Sequence, residues 1–64
     1  MENLTERESK ILKLIVEGYN NFQIAEELGI SLHTVKSHIS SIFRKLGCEN
    51  RTQAAYIAIK NNLI

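Results

Sequence analysis

The 64-residue chain contains no proline and no tryptophan, only one cysteine, and three glycines. Without proline no helix interior is forbidden, and the breaks in the pattern fall at glycine instead. The lone thiol, Cys48, excludes an internal disulfide or a cysteine-built zinc cluster, and reads as a packed structural residue. No apolar run approaches the ~20 residues that span a bilayer. The opening Met1-Glu2-Asn3-Leu4-Thr5-Glu6 also lacks the basic start of a secretory signal, so a soluble cytoplasmic protein with no membrane partner is expected. So short a chain supplies one core and one domain, residues 1–64, with a small margin of stability.

What is present is mostly Ile, Leu, Ala and Val, a mixture suited to helix packing, together with charge of uneven placement. The formal net charge is +1. Residues 1–30 hold Glu2, Glu6, Glu8, Glu17, Glu26 and Glu27 against Arg7, Lys10 and Lys13, whereas residues 31–64 hold Lys36, Arg44, Lys45, Arg51 and Lys60 against Glu49. The basic half can orient the domain on a polyanion.

Four helices are predicted, at about 6–17, 21–28, 32–46 and 51–61, and nothing reads as a strand. Thr5 and Glu8 form a capping box, and Asn20 with Gln23 and Asn50 with Gln53 repeat its spacing, while Ser31 caps the third helix. Gly18, Gly29 and Gly47 mark the ends. Ile11, Leu12, Leu14, Ile15 and Val16 make a stripe so wide that neighbours must cover the first helix on two sides. Glu8 lies on that apolar side, so besides capping it is expected to pair with a buried cation rather than to act in catalysis. The second helix is expected to send Phe22, Ile24, Ala25 and Leu28 to the core. In the third, Val35, His38, Ile39, Ile42, Phe43 and Leu46 recur at helical period. The fold class is therefore all-α, a compact four-helix bundle.

A helix-turn-helix needs a small residue in its first helix, a glycine in the turn and an apolar residue fixing its second helix; Ala25, Gly29 and Val35 supply them. With Val35 and Ile39 inward, Lys36, Ser37 and Ser40 point outward, where a major groove would meet them. Lys36 can donate to guanine O6 and N7, and the two serines can donate or accept at base edges. Asn20, Asn21, Ser31, His33, Thr34, Arg44, Lys45 and Arg51 are candidates for phosphate-backbone contacts, which position the protein without reading sequence. His38 reads as a packed histidine, with a phosphate contact as its alternative. No metal site is expected, because His33 and His38 lie on different helix faces.

Leu4-Thr5-Glu6-Arg7-Glu8, Ile24-Ala25-Glu26-Glu27-Leu28, Ser31 through Ile39, Lys45-Leu46-Gly47 and Asn50-Arg51-Thr52-Gln53-Ala54, in that order, resemble the LuxR/GerE-type (LuxR/FixJ family) helix-turn-helix domain over about residues 3–64. The resemblance implies a regulator that binds double-stranded promoter DNA, with Lys36, Ser37 and Ser40 where such domains read bases. It also implies a homodimer through the fourth helix, with Ala55, Tyr56, Ile59 and Leu63 at the contact and RNA polymerase as a further partner; the alternative for this apolar strip is a contact to a further domain. Ser40 stands where some members carry a basic residue, and Cys48 where valine is common, so the preferred DNA sequence is not implied. Such domains often follow a receiver or sensor domain. Met1 beside the first motif favours a standalone, GerE-like regulator over an excised output domain.

The rival reading is a protein-interaction module that uses the apolar fourth helix to form unproductive heterodimers, which predicts no salt-dependent DNA affinity. An enzyme is not expected, since no nucleophile-base pair, metal cluster or glycine-rich phosphate loop is apparent, and no cofactor is implied.

Overall fold

The computed structural model describes residues 3–64; Met1 and Glu2, invoked above for the chain start and the acidic half, lie outside them. The elements are α1 (Glu6–Val16), α2 (Asn21–Leu28), α3 (Leu32–Leu46) and α4 (Arg51–Lys60), with no strand among the described residues. α1 and α4 each stop one residue before the predicted end, because Glu17 and Asn61 serve as their C-caps.

Each helix begins on a local side-chain cap. Thr5 Oγ1 accepts from the Glu8 amide at 3.1 Å while Glu8 Oε1 accepts from the Thr5 amide at 2.9 Å. Asn20 and Gln23 make the same reciprocal pair at 2.8 Å each. Ser31 Oγ accepts from the Thr34 amide at 3.0 Å, and Asn50 Oδ1 from the Gln53 amide at 2.9 Å. These bonds satisfy amides that a helix start leaves orphaned.

The helices also end alike. The amides of Tyr19, Ile30, Cys48 and Leu63 reach back to the carbonyls of Leu14, Ala25, Phe43 and Ala58, five residues earlier, at 2.8–3.1 Å. Before each donor stands a residue of positive φ: Gly18, Gly29, Gly47 and, after α4, Asn62 at 54°. A Cβ added at Gly29 or Gly47 would meet nothing within 4 Å, so the backbone angle calls for glycine there rather than crowding.

Between these ends the core closes around α1, which packs against α3 and α4, while α2 packs on α3. Ile11, Leu12, Ile24, Val35, Ile42, Ala54 and Ala58 are fully buried. The expected two-sided cover of α1 is thus supplied by α3 and α4, and the small side chains of Ala54 and Ala58 let α4 come close.

One core assignment fails. Phe22 is 72 % exposed, whereas Ile24 is buried. Two residues subtend about 200° on a helix, so these neighbours face opposite ways, and apolar identity alone misdirected the phenylalanine. Ala25 and Leu28, nearer in angle to Ile24, do pack against the core.

Candidate nucleic-acid interface

α3 divides cleanly into two faces. Val35, Ile39, Ile42 and Leu46 are buried, and Lys36, Ser37 and Ser40 are exposed on the other side, together with His33 and Arg44. Fifteen residues make α3 roughly 22 Å long, and its width of ~10–12 Å with side chains matches a major groove about 12 Å across. These three exposed side chains present an ammonium and two hydroxyls, so they can donate to acceptors and, through the serines, accept from donors.

Lys36 and Ser40 also line an open groove floored by Ile39 and Phe43 and shared with Asn21, Glu49, Asn50, Arg51 and Thr52. Asn21 Oδ1 is buried with no hydrogen-bond partner among the described residues. Glu49, Asn50 and Thr52 did not emerge as site residues from the sequence. The signal was the brevity of the segment between Gly47 and the Asn50 cap, which returns the chain alongside α3. Glu49 sets a carboxylate beside a donor-rich surface.

Several candidates for phosphate contact have structural duties. The Asn20 and Ser31 side chains are engaged in capping, and Ser31 Oγ also lies 2.9 Å from Thr34 Oγ1. Arg51 is half-buried and donates from Nη1 to the Tyr19 carbonyl at 3.3 Å, which ties the start of α4 to the α1–α2 turn. Burial draws its pKa below the usual value. Burial pushes the Cys48 thiol up, against a backbone hydrogen bond at Asn50 that lowers it, which makes it a poor nucleophile.

Lys45, a further candidate for phosphate contact, is held inside the fold. Its ammonium lies 2.7 Å from Glu8 Oε1, with the lysine side chain 13 % and the glutamate 6 % exposed. Position 45 adjoins buried Leu46 and lies three residues after buried Ile42, so it falls on the flank of the apolar stripe and turns inward, whereas Arg44 stays exposed. The buried cation expected for Glu8 is therefore Lys45. Ser41 Oγ completes the group, donating to Glu8 Oε2 at 2.6 Å.

Burial alone would raise the Glu8 pKa, but hydrogen bonds from Lys45, Ser41 and the Thr5 amide outweigh it and bring the carboxyl from 4.5 down to about 2. A depressed folded-state pKa stabilises fully above the unfolded value and is lost as pH falls through the folded one. Between pH 4.5 and 2 the domain should lose roughly 1 kcal/mol per pH unit through this group. Urea titrations across that range should show the slope, and Glu8→Gln should flatten it; equal slopes would contradict the assignment.

On α4, Tyr56 and Ile59 are 61 % and 60 % exposed, and the Lys60 ammonium sits 5.5 Å above the Tyr56 ring. Ala55 is half-buried, and Leu63 packs against the core. Gly47, Cys48, Thr52, Gln53, Tyr56 and Ile57 line a shallow, mainly apolar depression along the same helix.

Residues 2–58 match the model of the bacterial regulatory proteins of the luxR family. The transcriptional regulatory protein LiaR of Bacillus subtilis is 52 % identical over 63 residues, covering 98 % of this chain and 30 % of LiaR. The chain thus spans about a third of the curated relatives it matches. Among solved structures, the transcription factor GerE superposes with a TM-score of 0.87 at 36 % identity, covering 98 % of this chain and 94 % of GerE. The Vibrio cholerae VqmA dimer, a LuxR-type receptor solved without its target DNA, superposes at 0.92 with 30 % identity, over 98 % of this chain and 28 % of that one.

Proposed function

Since this chain belongs to the luxR family of bacterial regulatory proteins, we propose that it binds promoter DNA sequence-specifically in the cytoplasm and regulates transcription, with α3 in the major groove. One observation carries the reading: Lys36, Ser37 and Ser40 are exposed together on a helix whose opposite face is locked into the core. Base edges in the major groove offer the acceptors, donors and methyl groups that these side chains can distinguish. Asn21, His33, Thr34 and Arg44 are assigned to the sugar-phosphate backbone, with Asn20, Ser31 and Arg51 contributing chiefly by holding the helix starts and the α1–α2 turn.

Two copies bind together, paired through Ala55, Tyr56 and Ile59 of α4 with Leu63 at the margin. The exposed Tyr56 and Ile59 support this pairing, since apolar side chains grouped on one helix favour burial against a like surface. The bound dimer is then placed to contact RNA polymerase at the promoter.

Selection from a random duplex pool tests the whole reading. The enriched sequences should contain two inverted half-sites spaced one helical turn apart or a multiple of it, about 10–10.5 base pairs per turn. Affinity should fall with salt at a log-log slope of about 0.9 per phosphate neutralised. An unenriched pool, or affinity indifferent to salt, overturns DNA binding; a single unpaired half-site overturns the dimer.

A further inference from the structure

The carboxylate of Glu8 is buried and the trio of Lys36, Ser37 and Ser40 is exposed, yet the carboxylate grips the same helix. We infer that Glu8, through Ser41 and Lys45, is a positioning residue that fixes the rotation of α3 about its axis and so sets the aim of Ser40 and Lys36. The inference rests on the DNA-reading role proposed above.

The grip is directional at both ends. Glu8 Oε1 accepts from the Thr5 amide at 2.9 Å and from Lys45 Nζ at 2.7 Å, while Oε2 accepts from Ser41 Oγ at 2.6 Å. The first bond holds the carboxylate to the α1 start, and the other two take hold of α3 one turn apart. Ser41 follows Ser40 directly, and Lys45 follows Arg44, so each inward anchor is bonded in sequence to an outward residue. The other buried residues of α3 are Val35, Ile39, Ile42 and Leu46, whose burial sets which side of the helix meets the core but has no bond direction to fix its rotation finely. Hydrogen bonds weaken steeply when misaligned, so the two from Ser41 and Lys45, with the third holding Glu8 to the α1 start, resist small rotations that apolar packing tolerates.

The required accuracy is small in degrees. A side-chain tip roughly 5–6 Å from a helix axis moves about 1 Å for a rotation of about 10°, and binding constellations work within roughly 0.5 Å. A buried ion pair is also weak support for stability alone, because apolar replacements of similar volume often hold a fold as well. What such replacements lack is direction.

That difference supplies the experiment. The triple variant E8L/S41A/K45M keeps the site apolar and filled, and is compared with the parent in two ways. Residual dipolar couplings of backbone amides, recorded without DNA, report the orientation of α3 relative to α1. Operator and random-duplex titrations report their affinity ratio. The variant should remain folded, show altered couplings across residues 36–46, keep its affinity for random duplex, and lose about tenfold in the ratio. Couplings that coincide with the parent's, or an undiminished ratio, overturn the inference. Should the triple variant not fold, Ser41→Ala, which removes one anchor, decides on the same readouts with a shift in couplings and a ratio reduced about threefold. A parent protein without operator preference would defeat the DNA-reading role, and the couplings would still decide whether Glu8 orients α3.

Discussion

Ile42→Ala should bring the domain to the edge of unfolding at room temperature. Ile42 has no exposed surface and sits on α3 within the core cluster. Truncating such a residue removes its transfer free energy and leaves a cavity, together about 2–5 kcal/mol. A chain of this length is held by only about 3–10 kcal/mol in total, so the loss is comparable with the whole. Thermal unfolding followed by circular dichroism should shift down by roughly 10–30 °C. Phe22→Ala is the control: its side chain is larger but 72 % exposed, and the change should stay within about 0.5 kcal/mol. If Ile42→Ala costs less than Phe22→Ala, the division of apolar residues between core and surface described above is wrong.

Lys36→Ala should weaken operator binding by about 1–3 kcal/mol and leave random-duplex binding almost untouched, provided the ammonium reads a base. Lys36 is exposed, one residue from buried Val35, so its removal disturbs no packing and thermal stability should hold. The salt dependence separates the two roles a groove lysine can have. A base contact leaves the log-log slope unchanged, whereas a phosphate contact lowers it by about 0.9 and weakens all sequences alike. Ser37→Ala and Ser40→Ala should act in the same direction by less, since each removes a neutral hydrogen bond worth about 1 kcal/mol. Uniform loss on every duplex would move Lys36 from the reading face to the backbone set.

Much of the frame was legible because its instructions are short-range. Thr5 with Glu8, Asn20 with Gln23 and Asn50 with Gln53 announce helix starts within three residues, and Gly29 and Gly47 announce ends at the residue itself. The outward aim of Lys36, Ser37 and Ser40 followed from the period of Val35, Ile39 and Ile42. Less legible were facts that depend on angle or on distant partners. Lys45 and Arg44 look alike as a basic pair, but 100° of rotation sends the first to Glu8, 37 residues away, and leaves the second exposed. Phe22 was misplaced because so short a helix as α2 shows too little period to overrule an apolar side chain. The return of Glu49 to Thr52 alongside α3 depends on how the four-residue connection from Gly47 to Asn50 turns, and its brevity signals a return without fixing the direction.

The four matching helix terminations have an evolutionary corollary. Their bonds run from the amides of Tyr19, Ile30, Cys48 and Leu63 to backbone carbonyls, each just after a glycine or Asn62, and none involves residue 36, 37 or 40. Substitutions at positions 36, 37 and 40 therefore leave the scaffold's punctuation intact, and with the base-reading role proposed for them a lineage can retarget this domain to new operators without first having to restabilise it.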